Sequence, residues 1–303
     1  MNTIRRFTTT AYLVLLALAF LLQPRASLAS DEAAAGNAAA LREKYAAERE
    51  RMEHGPFGRP LALDSRDDNG ALKGDAYVVL SHPFARASSG LGSADHWCDV
   101  LMLPFNTKKC EAGASDGASR LTLFVGRKTQ TPLEEAFKLD FTFRVVARSA
   151  DYLQLELACE QGPMGTKGYR IVFEAVPLDD KRSFIHLRYA YSYGTMSKVA
   201  MQAYLSTSGA SKVGFSTEGA DENGKPRLVG GMRGIMERNT MRYALAIDAY
   251  LGSLGAPEPA RVGKLINDWF SATERYPRQL HEIDRGDYVA MKEKEFARMK
   301  GAG

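Results

Sequence analysis

The chain has 303 residues, 45% of them hydrophobic, so it can bury a substantial core as one large domain or as a domain with added segments. It contains 40 lysines and arginines against 36 aspartates and glutamates. Residues 1–29 hold three of the arginines and no acid, and their removal leaves a net charge of about +1. Because nucleic-acid-binding proteins usually carry a clear basic excess, this balance argues against a nucleic-acid partner.

Residues 1–29 have the features of a secretory signal peptide. Arg5 and Arg6 precede an apolar run at 11–22, and a small-x-small pattern ends at Ala29. The run is too short to span the roughly 30 Å hydrocarbon core of a bilayer. We therefore expect cleavage after Ala29 and a soluble protein that is periplasmic or secreted. The alternatives are export of the folded protein by the twin-arginine route and an uncleaved segment that tethers the chain.

The next segment, 30–59, is rich in alanine, glutamate and arginine. Leu41, Tyr45 and Met52 are loosely at helical spacing, so we expect a solvated helix that docks weakly or serves as a linker. Residues 61–82 then predict two short strands around an Asp-Asn-Gly turn. The pattern becomes helical over 83–103, where two short helices are expected.

Three cysteines are present in a chain expected to reach an oxidising compartment. Cys98 and Cys110 flank a short loop, and a disulfide between them would stabilise the fold by roughly 3 kcal/mol. Cys159 ends an apolar strand pattern and is predicted to be a buried, small hydrophobic residue. Its alternative roles are a bridge to either of the other cysteines and a reactive thiol.

After Cys110 the hydrophobic pattern changes to a period of two, which indicates strands with one buried face. Short turns separate the runs, so neighbouring strands should be antiparallel. At least five strands are predicted, with one solvated face and one apolar face that other elements must cover. The alternating apolar positions are Leu121, Leu123, Val125, Phe137, Leu139, Phe141, Phe143, Val145, Leu153, Leu155, Leu157, Cys159, Tyr169, Ile171, Phe173, Ala175, Ile185, Leu187, Tyr189, Tyr191 and Tyr193.

The rest of the chain is predicted to be mainly helical. A helix is expected at 195–207, followed by an extended pair around a turn at 221–224 and a long helix at 231–254. The segment 255–303 begins with a Pro-rich linker and continues as a helical extension. Trp269 and Phe270 are its expected docking residues, and its last part, from Met291, should be solvated.

The long helix carries an apolar stripe that includes an asparagine. At 100° per residue the stripe contains Met232, Met236, Asn239, Tyr243, Ala246, Ile247, Tyr250 and Leu254. Thr240 and Arg233 border it, whereas Glu237, Arg238, Arg242 and Asp248 fall on the opposite face. A buried amide without a partner costs about 1 to 3 kcal/mol, so Asn239 must be hydrogen-bonded by protein, water or ligand.

The order of strands, two short helices, an antiparallel meander and a long C-terminal helix resembles the helix-grip superfamily. This superfamily contains START lipid-transfer domains, birch-pollen-type allergens and polyketide cyclases. The resemblance covers residues 60–254 and depends on element order, on the pattern at 75–103 and on the helix beginning at Met232. It implies an α+β fold in which a curved antiparallel sheet wraps around the long helix, with extra helices at both ends. It also implies a cavity for a sterol, lipid or other apolar molecule between sheet and helix.

If such a cavity exists, residues of the long helix and of one strand are candidates to bind the ligand. The candidate ligand-binding residues are Asn239, Tyr243, Met236, Thr240, Arg233, Tyr189 and Tyr191. Each has an alternative structural role. Asn239 could bond to a strand carbonyl, Arg233 could be solvated at the start of the helix, and the tyrosines could be ordinary core residues.

We find no motif that defines catalysis. The sequence 113-GASDG-117 matches a nucleophile elbow but lies in a loop before a strand, and 281-HEIDRGD-287 lacks the second histidine of a zinc helix. His186 is expected to be exposed because it alternates with apolar neighbours. No Cys-x-x-Cys, phosphate loop or dinucleotide fingerprint is present, so we expect no cofactor or metal.

Three hypotheses about function follow. The leading one is a non-enzymatic carrier of a hydrophobic molecule or lipid, with transient contact to a membrane. The second is a cyclase- or hydrolase-like enzyme in the same cavity, which acid-base side chains converging there would favour. The third is an envelope interaction protein with a solid core, which an exposed apolar patch near Trp269 and Phe270 would favour.

Overall fold

A computed structural model describes residues 25–195, 197–199, 211–220 and 222–301, with side chains from residue 37 onward. Most of the expected signal peptide and of the expected helix at 195–207 lie outside these residues. Among the described helices none is long and apolar enough to cross a membrane.

A single antiparallel sheet of eight strands forms the centre of the fold, in the order β1-β2-β8-β7-β6-β5-β4-β3. Each strand pairs with the next one along the chain, except that β2 pairs with β8 and not with β3. The antiparallel meander predicted from the period-two runs is therefore confirmed. The strands are β1 (Leu61–Asp68), β2 (Ala71–Leu80), β3 (Thr107–Ser115), β4 (Ala118–Val125), β5 (Phe137–Arg148), β6 (Leu153–Gln161), β7 (Lys167–Pro177) and β8 (Ser183–Ser192).

Helices lie at both ends of the chain and inside the curve of the sheet, as predicted for the α+β fold. The helices are α1 (Arg25–Glu53), α2 (Phe84–Gly90), α3 (Ala94–Leu101), α4 (Gly231–Ser253), α5 (Ala260–Thr273), α6 (Pro277–Leu280) and α7 (Arg285–Met299), with single 3₁₀ turns at Leu133–Glu135 and Pro163–Gly165. Two short strands, β9 (Thr217–Ala220) and β10 (Pro226–Leu228), pair with each other before α4.

Helix α4 packs on the inner face of the sheet against β1, β2 and β8. The approach is closest at Gly74 of β2. A Cβ atom there would lie 2.2 Å from Thr240 Oγ1 and 3.0 Å from Met236 Cγ. These distances are shorter than side-chain atoms tolerate. Helix α4 can therefore come this close to β2 only because Gly74 has no side chain.

The C-terminal helices cover the other side of α4, so this helix is buried almost all round. Trp269 and Phe270 of α5 are buried, and Trp269 Nε1 donates a hydrogen bond to the carbonyl of Arg242 at 3.0 Å. They do not form the exposed patch that an envelope interaction protein would need. The prediction that the last part of the chain is solvated is wrong, since Met291 and Phe296 of α7 are also buried.

A buried ion triad fastens α7 to the first residues of β3 and the loop before it. Glu295 accepts hydrogen bonds from Lys292 Nζ at 2.7 Å and from Lys108 Nζ at 3.1 Å. Lys292 also donates to the carbonyls of Pro104 and Thr107, each at 2.8 Å. The three ionised groups are at most 5% exposed, so each depends on the others for its charge balance.

Helix α1 packs across the outer face of the sheet and is more than a solvated linker. Ala38, Leu41 and Met52 of α1 are buried in a small apolar cluster with Tyr152 and Phe184, whose side chains lie on that outer face. The face predicted to be solvated is therefore partly covered, because α1 supplies a second layer.

The prediction that His186 is exposed is wrong, although it does lie on the outer face. Its ring is 3% exposed, with Nε2 2.7 Å from Asp75 Oδ1 and Nδ1 2.9 Å from Glu174 Oε2. Tyr77 stacks on it, with ring centroids 4.8 Å apart. Lys44 and Arg51 of α1 lie over the Tyr77 ring, so the helix shields a charged cluster.

The charges in this cluster should make the stability of the folded protein depend on pH. Burial alone would lower the pKa of His186, but hydrogen bonds to Asp75 and Glu174 outweigh burial and raise it above 6.5. Burial alone would raise the pKa of both carboxyls, but His186 and Arg188 hold that of Asp75 at about 2 and His186 and Tyr152 lower that of Glu174 below 4.5. The stabilisation is complete between roughly pH 4.5 and 6.5. It is lost above that window as His186 deprotonates and below it as the carboxylates protonate.

We expect the free energy of unfolding, measured by urea denaturation, to fall as pH rises from 6.5 to 8.5. His186→Gln should reduce that slope, because glutamine cannot release a proton. His54→Gln, which changes an exposed histidine directly after α1, is the matched control and should keep the wild-type slope. An unchanged slope in His186→Gln would show that the cluster does not titrate in this range.

Candidate functional site

A cavity of about 320 Å³ lies between α4 and the inner face of the sheet. Side chains that alternate along β4, β5, β7 and β8 form its wall, and Ile235, Asn239 and Tyr243 close it from the helix at a spacing of four residues, which places them on one helical face. The volume is at the lower end of small-molecule sites, which occupy about 300 to 1,000 Å³. The lining residues are Leu101, Asn106, Thr107, Leu123, Val125, Leu139, Phe141, Pro163, Met164, Thr166, Tyr169, Ile171, Tyr189, Tyr191, Ser197, Ile235, Asn239 and Tyr243.

Four tyrosines form one side of this cavity. The rings of Tyr169 and Tyr191 stack with centroids 5.1 Å apart, and Tyr243 meets Tyr189 edge to face at 5.1 Å. Such aromatic pairs are worth about 0.5 to 1.5 kcal/mol beyond the area that they bury. Burial raises the pKa of Tyr243 to about 12 and that of Tyr189 further, so both hydroxyls keep their protons and act as neutral hydrogen-bonding groups.

Asn239 joins the cavity to a second, polar site. It is partly buried, and its Oδ1 accepts a hydrogen bond from Arg242 Nη1 at 3.3 Å. The partner is thus one turn further along the same helix, not a strand carbonyl. A long bond of this kind leaves the amide able to meet a polar group in the cavity.

Three of the seven predicted ligand-binding residues lie away from the cavity wall. Thr240 packs over Gly74, where its Oγ1 donates to the Met236 carbonyl at 2.9 Å, and Met236 fills the same close contact. Arg233 lies near the start of α4, 2.8 Å from Glu218 and 3.2 Å from Ser65 Oγ. The other four, Asn239, Tyr243, Tyr189 and Tyr191, line the cavity, and their ligand-binding role stays a prediction.

The second site, called the vestibule here, adjoins the cavity along Asn106, Tyr189, Ile235, Asn239 and Tyr243, which line both. It has a volume of about 900 Å³. Among the described residues that line it, five are lysines or arginines and one is an acid. These charged residues are Arg127, Lys128, Lys212, Arg238, Arg242 and Glu282.

Glu282 is the centre of the charges in the vestibule. Its Oε1 accepts from Arg242 Nη2 at 2.5 Å and its Oε2 lies 2.8 Å from Lys128 Nζ. Burial would raise the pKa of Glu282, but these two cations outweigh burial and lower it. For Lys212 the balance goes the other way, because burial and the positive charges of Lys128, Arg242 and Arg238 lower its pKa despite the attraction of Glu282.

No pattern in the sequence indicates the vestibule. Its charged residues come from the loop after β4, from the segment before β9, from α4 and from the loop before α7, and they have no common spacing. Arg238 and Arg242 were assigned to the polar face of α4 without a role. A helix that is covered on both sides buries its polar face as well as its apolar face. Packing of the C-terminal helices on the polar face of α4 was not predicted from the sequence.

The loop from Cys98 to Cys110 supplies part of both walls. The two cysteines form a disulfide with Cα atoms 5.4 Å apart, whereas Cys159 is buried and unbridged. Asn106 and Thr107 of this loop line the cavity, and Pro104 and Phe105 line the vestibule. The disulfide therefore closes a segment that contributes directly to the site.

The polar groups of the described cavity wall are neutral. Among the described residues that line it, there is no aspartate, glutamate, histidine, lysine or arginine. Its polar groups are hydroxyls and amides, which orient a ligand through hydrogen bonds. The described part of the chain also has no cluster of histidine, cysteine and acidic side chains able to hold a metal ion.

No protein-family model matches the chain, and no curated protein matches it. Solved structures show distant similarity. A conserved protein of unknown function from Enterococcus faecalis is 7% identical, with a TM-score of 0.35, over 84% of this chain and 99% of that one. The ZhuI aromatase/cyclase from Streptomyces sp. R1128 is 13% identical, with a TM-score of 0.33, over 63% and 92%. Norcoclaurine synthase from Thalictrum flavum, solved with dopamine and hydroxybenzaldehyde, is 13% identical, with a TM-score of 0.31, over 50% and 80%.

The aromatase/cyclase and the norcoclaurine synthase have the helix-grip fold that the sequence resembles. At these identities and TM-scores the similarity carries no argument about function.

Proposed function

We propose that this protein binds a hydrophobic or amphiphilic small molecule in the cavity between α4 and the sheet, and carries it outside the cytoplasm. The observation that supports this proposal is the cavity itself, a space of about 320 Å³ with a mainly apolar and aromatic wall. A wall of this composition gains free energy when an apolar molecule replaces water, at roughly 25 cal/mol per Å² of apolar surface buried. Neutral hydroxyl and amide groups at one side then orient the ligand.

The location is part of the proposal. The sequence features of residues 1–29 support export, and the disulfide between Cys98 and Cys110 is typical of an oxidising compartment. Expression of the full chain in a bacterial host, followed by N-terminal sequencing of the protein from the periplasmic fraction, tests it. A mature protein that begins at Ser30 is the expected result, and a protein found only in the cytosol with Met1 intact contradicts it.

A cavity-filling substitution tests the binding role. Leu139 of β5 lines the cavity, so Leu139→Trp should fill part of the space that the ligand needs. We expect the wild-type protein to bind a fluorescent fatty acid at a ratio near one to one. The variant should bind at least about tenfold more weakly, which corresponds to roughly 1.4 kcal/mol.

The matched control is Val146→Trp, which adds the same side chain to the same strand at an exposed position. It should bind like the wild type, and both variants should show a cooperative thermal unfolding transition. Native mass spectrometry of protein purified from its own host, followed by solvent extraction, then identifies any natural ligand. Equal binding by Leu139→Trp and wild type would place the probe elsewhere and contradict the proposal.

A further inference from the structure

The vestibule has charged walls, whereas the adjoining cavity has uncharged walls. A purely apolar ligand would make no use of the charged part. Both are lined by the same short stretch of α4, where Ile235, Asn239 and Tyr243 border each of them. On the cavity side the described walls carry no charge. On the vestibule side the described lining has five cationic side chains and one carboxylate, and one of the five, Arg127, is paired with Glu135 outside the vestibule.

Part of this positive charge is held in a largely desolvated place. Arg238 and Arg242 are buried, and the Glu282 side chain is only 8% exposed. Glu282 already contacts both Arg242 and Lys128, so one carboxylate serves two cations. Interactions between charges in such a place are weakened less by solvent and salt than those at an open surface.

Two further cations face the same space. Arg238 Nη1 donates to the carbonyl of Val213 at 3.2 Å, and Lys212 Nζ donates to the carbonyl of His281. An anion that entered the vestibule would therefore meet positive potential from several directions, and guanidinium groups bind carboxylates and phosphates in well-defined geometry.

We propose that the ligand of this protein is an organic anion with an apolar body, whose carboxylate or phosphate lies in the vestibule among Lys128, Lys212, Arg238 and Arg242. This inference rests on the proposed function, because it requires that the apolar body occupies the adjoining cavity. Asn239 and Tyr243 then lie at the junction of head and body. The vestibule selects the acidic group, and the cavity selects the size of the body.

Four decyl compounds with different head groups test this proposal. Decanoate, decyl phosphate, decanol and decyltrimethylammonium have the same chain, and each is titrated into the full mature protein at pH 7.5 by competition with a fluorescent fatty acid. We expect one or both acids to bind at least about tenfold more tightly than decanol, and the ammonium compound to bind most weakly. The ratio between decanoate and decyl phosphate shows which acidic group the site prefers.

The double variant Lys128→Gln Lys212→Gln should remove most of the advantage of the acids over decanol, with all three affinities measured on that same variant. Lys167→Gln Lys181→Gln removes the same charge from exposed positions elsewhere and is the matched control. Equal affinities of the wild type for decanol and both acids would overturn the inference, as would an advantage that survives in Lys128→Gln Lys212→Gln. Failure of all four compounds to bind would instead contradict the proposed function.

Discussion

Glu295→Gln should destabilise the protein by roughly 3 to 5 kcal/mol, which is the usual effect of removing one partner from a buried ion pair. Glutamine keeps the shape of glutamate but removes the only carboxylate that Lys108 and Lys292 contact in the triad. Both ammonium groups would then be buried with no carboxylate partner in the triad, against backbone carbonyls and, for Lys108, the sulfur of Met291. Urea denaturation at pH 7, followed by circular dichroism, measures the difference in the free energy of unfolding.

The effect should diminish at alkaline pH. Burial lowers the pKa of Lys292 to about 8, and Glu295 opposes this lowering, so its loss should lower the pKa further. A lysine whose pKa is lower in the folded than in the unfolded state makes the fold more stable as pH rises from the folded value towards 10.5. Glu293→Gln, at an exposed position of the same helix, is the control and should change stability by less than about 0.5 kcal/mol. A loss no larger than in this control would mean that the triad is not a coupled buried cluster.

Gly74→Ala should destabilise the protein by about 3 kcal/mol, at the upper end of what overpacking a core usually costs. The new methyl group would lie 2.2 Å from Thr240 Oγ1, so α4 must move away from β2 or Thr240 must leave its rotamer. Thr240→Ala alone should have an effect of under about 1 kcal/mol, because its hydroxyl bonds to the carbonyl and the sulfur of Met236, which both belong to its own helix.

The double variant Gly74→Ala Thr240→Ala should recover most of the lost stability, since it removes the atom that the new methyl group would strike. The recovery appears as a favourable interaction energy in the double-mutant cycle. Gly113→Ala on β3 is the matched control, because a Cβ atom there meets nothing within 4 Å. Additive losses in the double variant would show that Thr240 is not the group that limits the approach of helix and sheet.

The strands and the long helix were predictable because their side chains repeat with the period of the structure. Leu139, Phe141 and Phe143 alternate on β5, and all three are buried on one face as expected. Tyr189 and Tyr191 lie on the cavity wall for the same reason, since a period of two places them on the inner face. Periodicity identifies the face of an element, but it does not tell what lies against the other face.

The wrong predictions concern what packs against the other face of an element, which periodicity does not describe. His186 was assigned to the correct side of β8, yet it is buried because Tyr77 and α1 cover it. The sequence around Lys292 and Glu295 is typical of a solvated helix, and only the carbonyls of Pro104 and Thr107, far away in the chain, make a buried lysine tolerable there. Thr240 borders the apolar stripe but meets a glycine on β2, and no pattern within α4 could indicate that partner.

The loop between Cys98 and Cys110 also has a consequence for the order in which this protein is made. Its ends are joined by the disulfide, but its carbonyls at Leu103, Pro104 and Thr107 are bonded by Tyr288 and Lys292 of α7. A chain synthesised from its N-terminus produces the sheet and α4 well before α7 emerges. One wall of the cavity therefore acquires its support only after α7 has been synthesised, so a chain cleaved after Asp284, before α7, should retain the strands but lose the binding site.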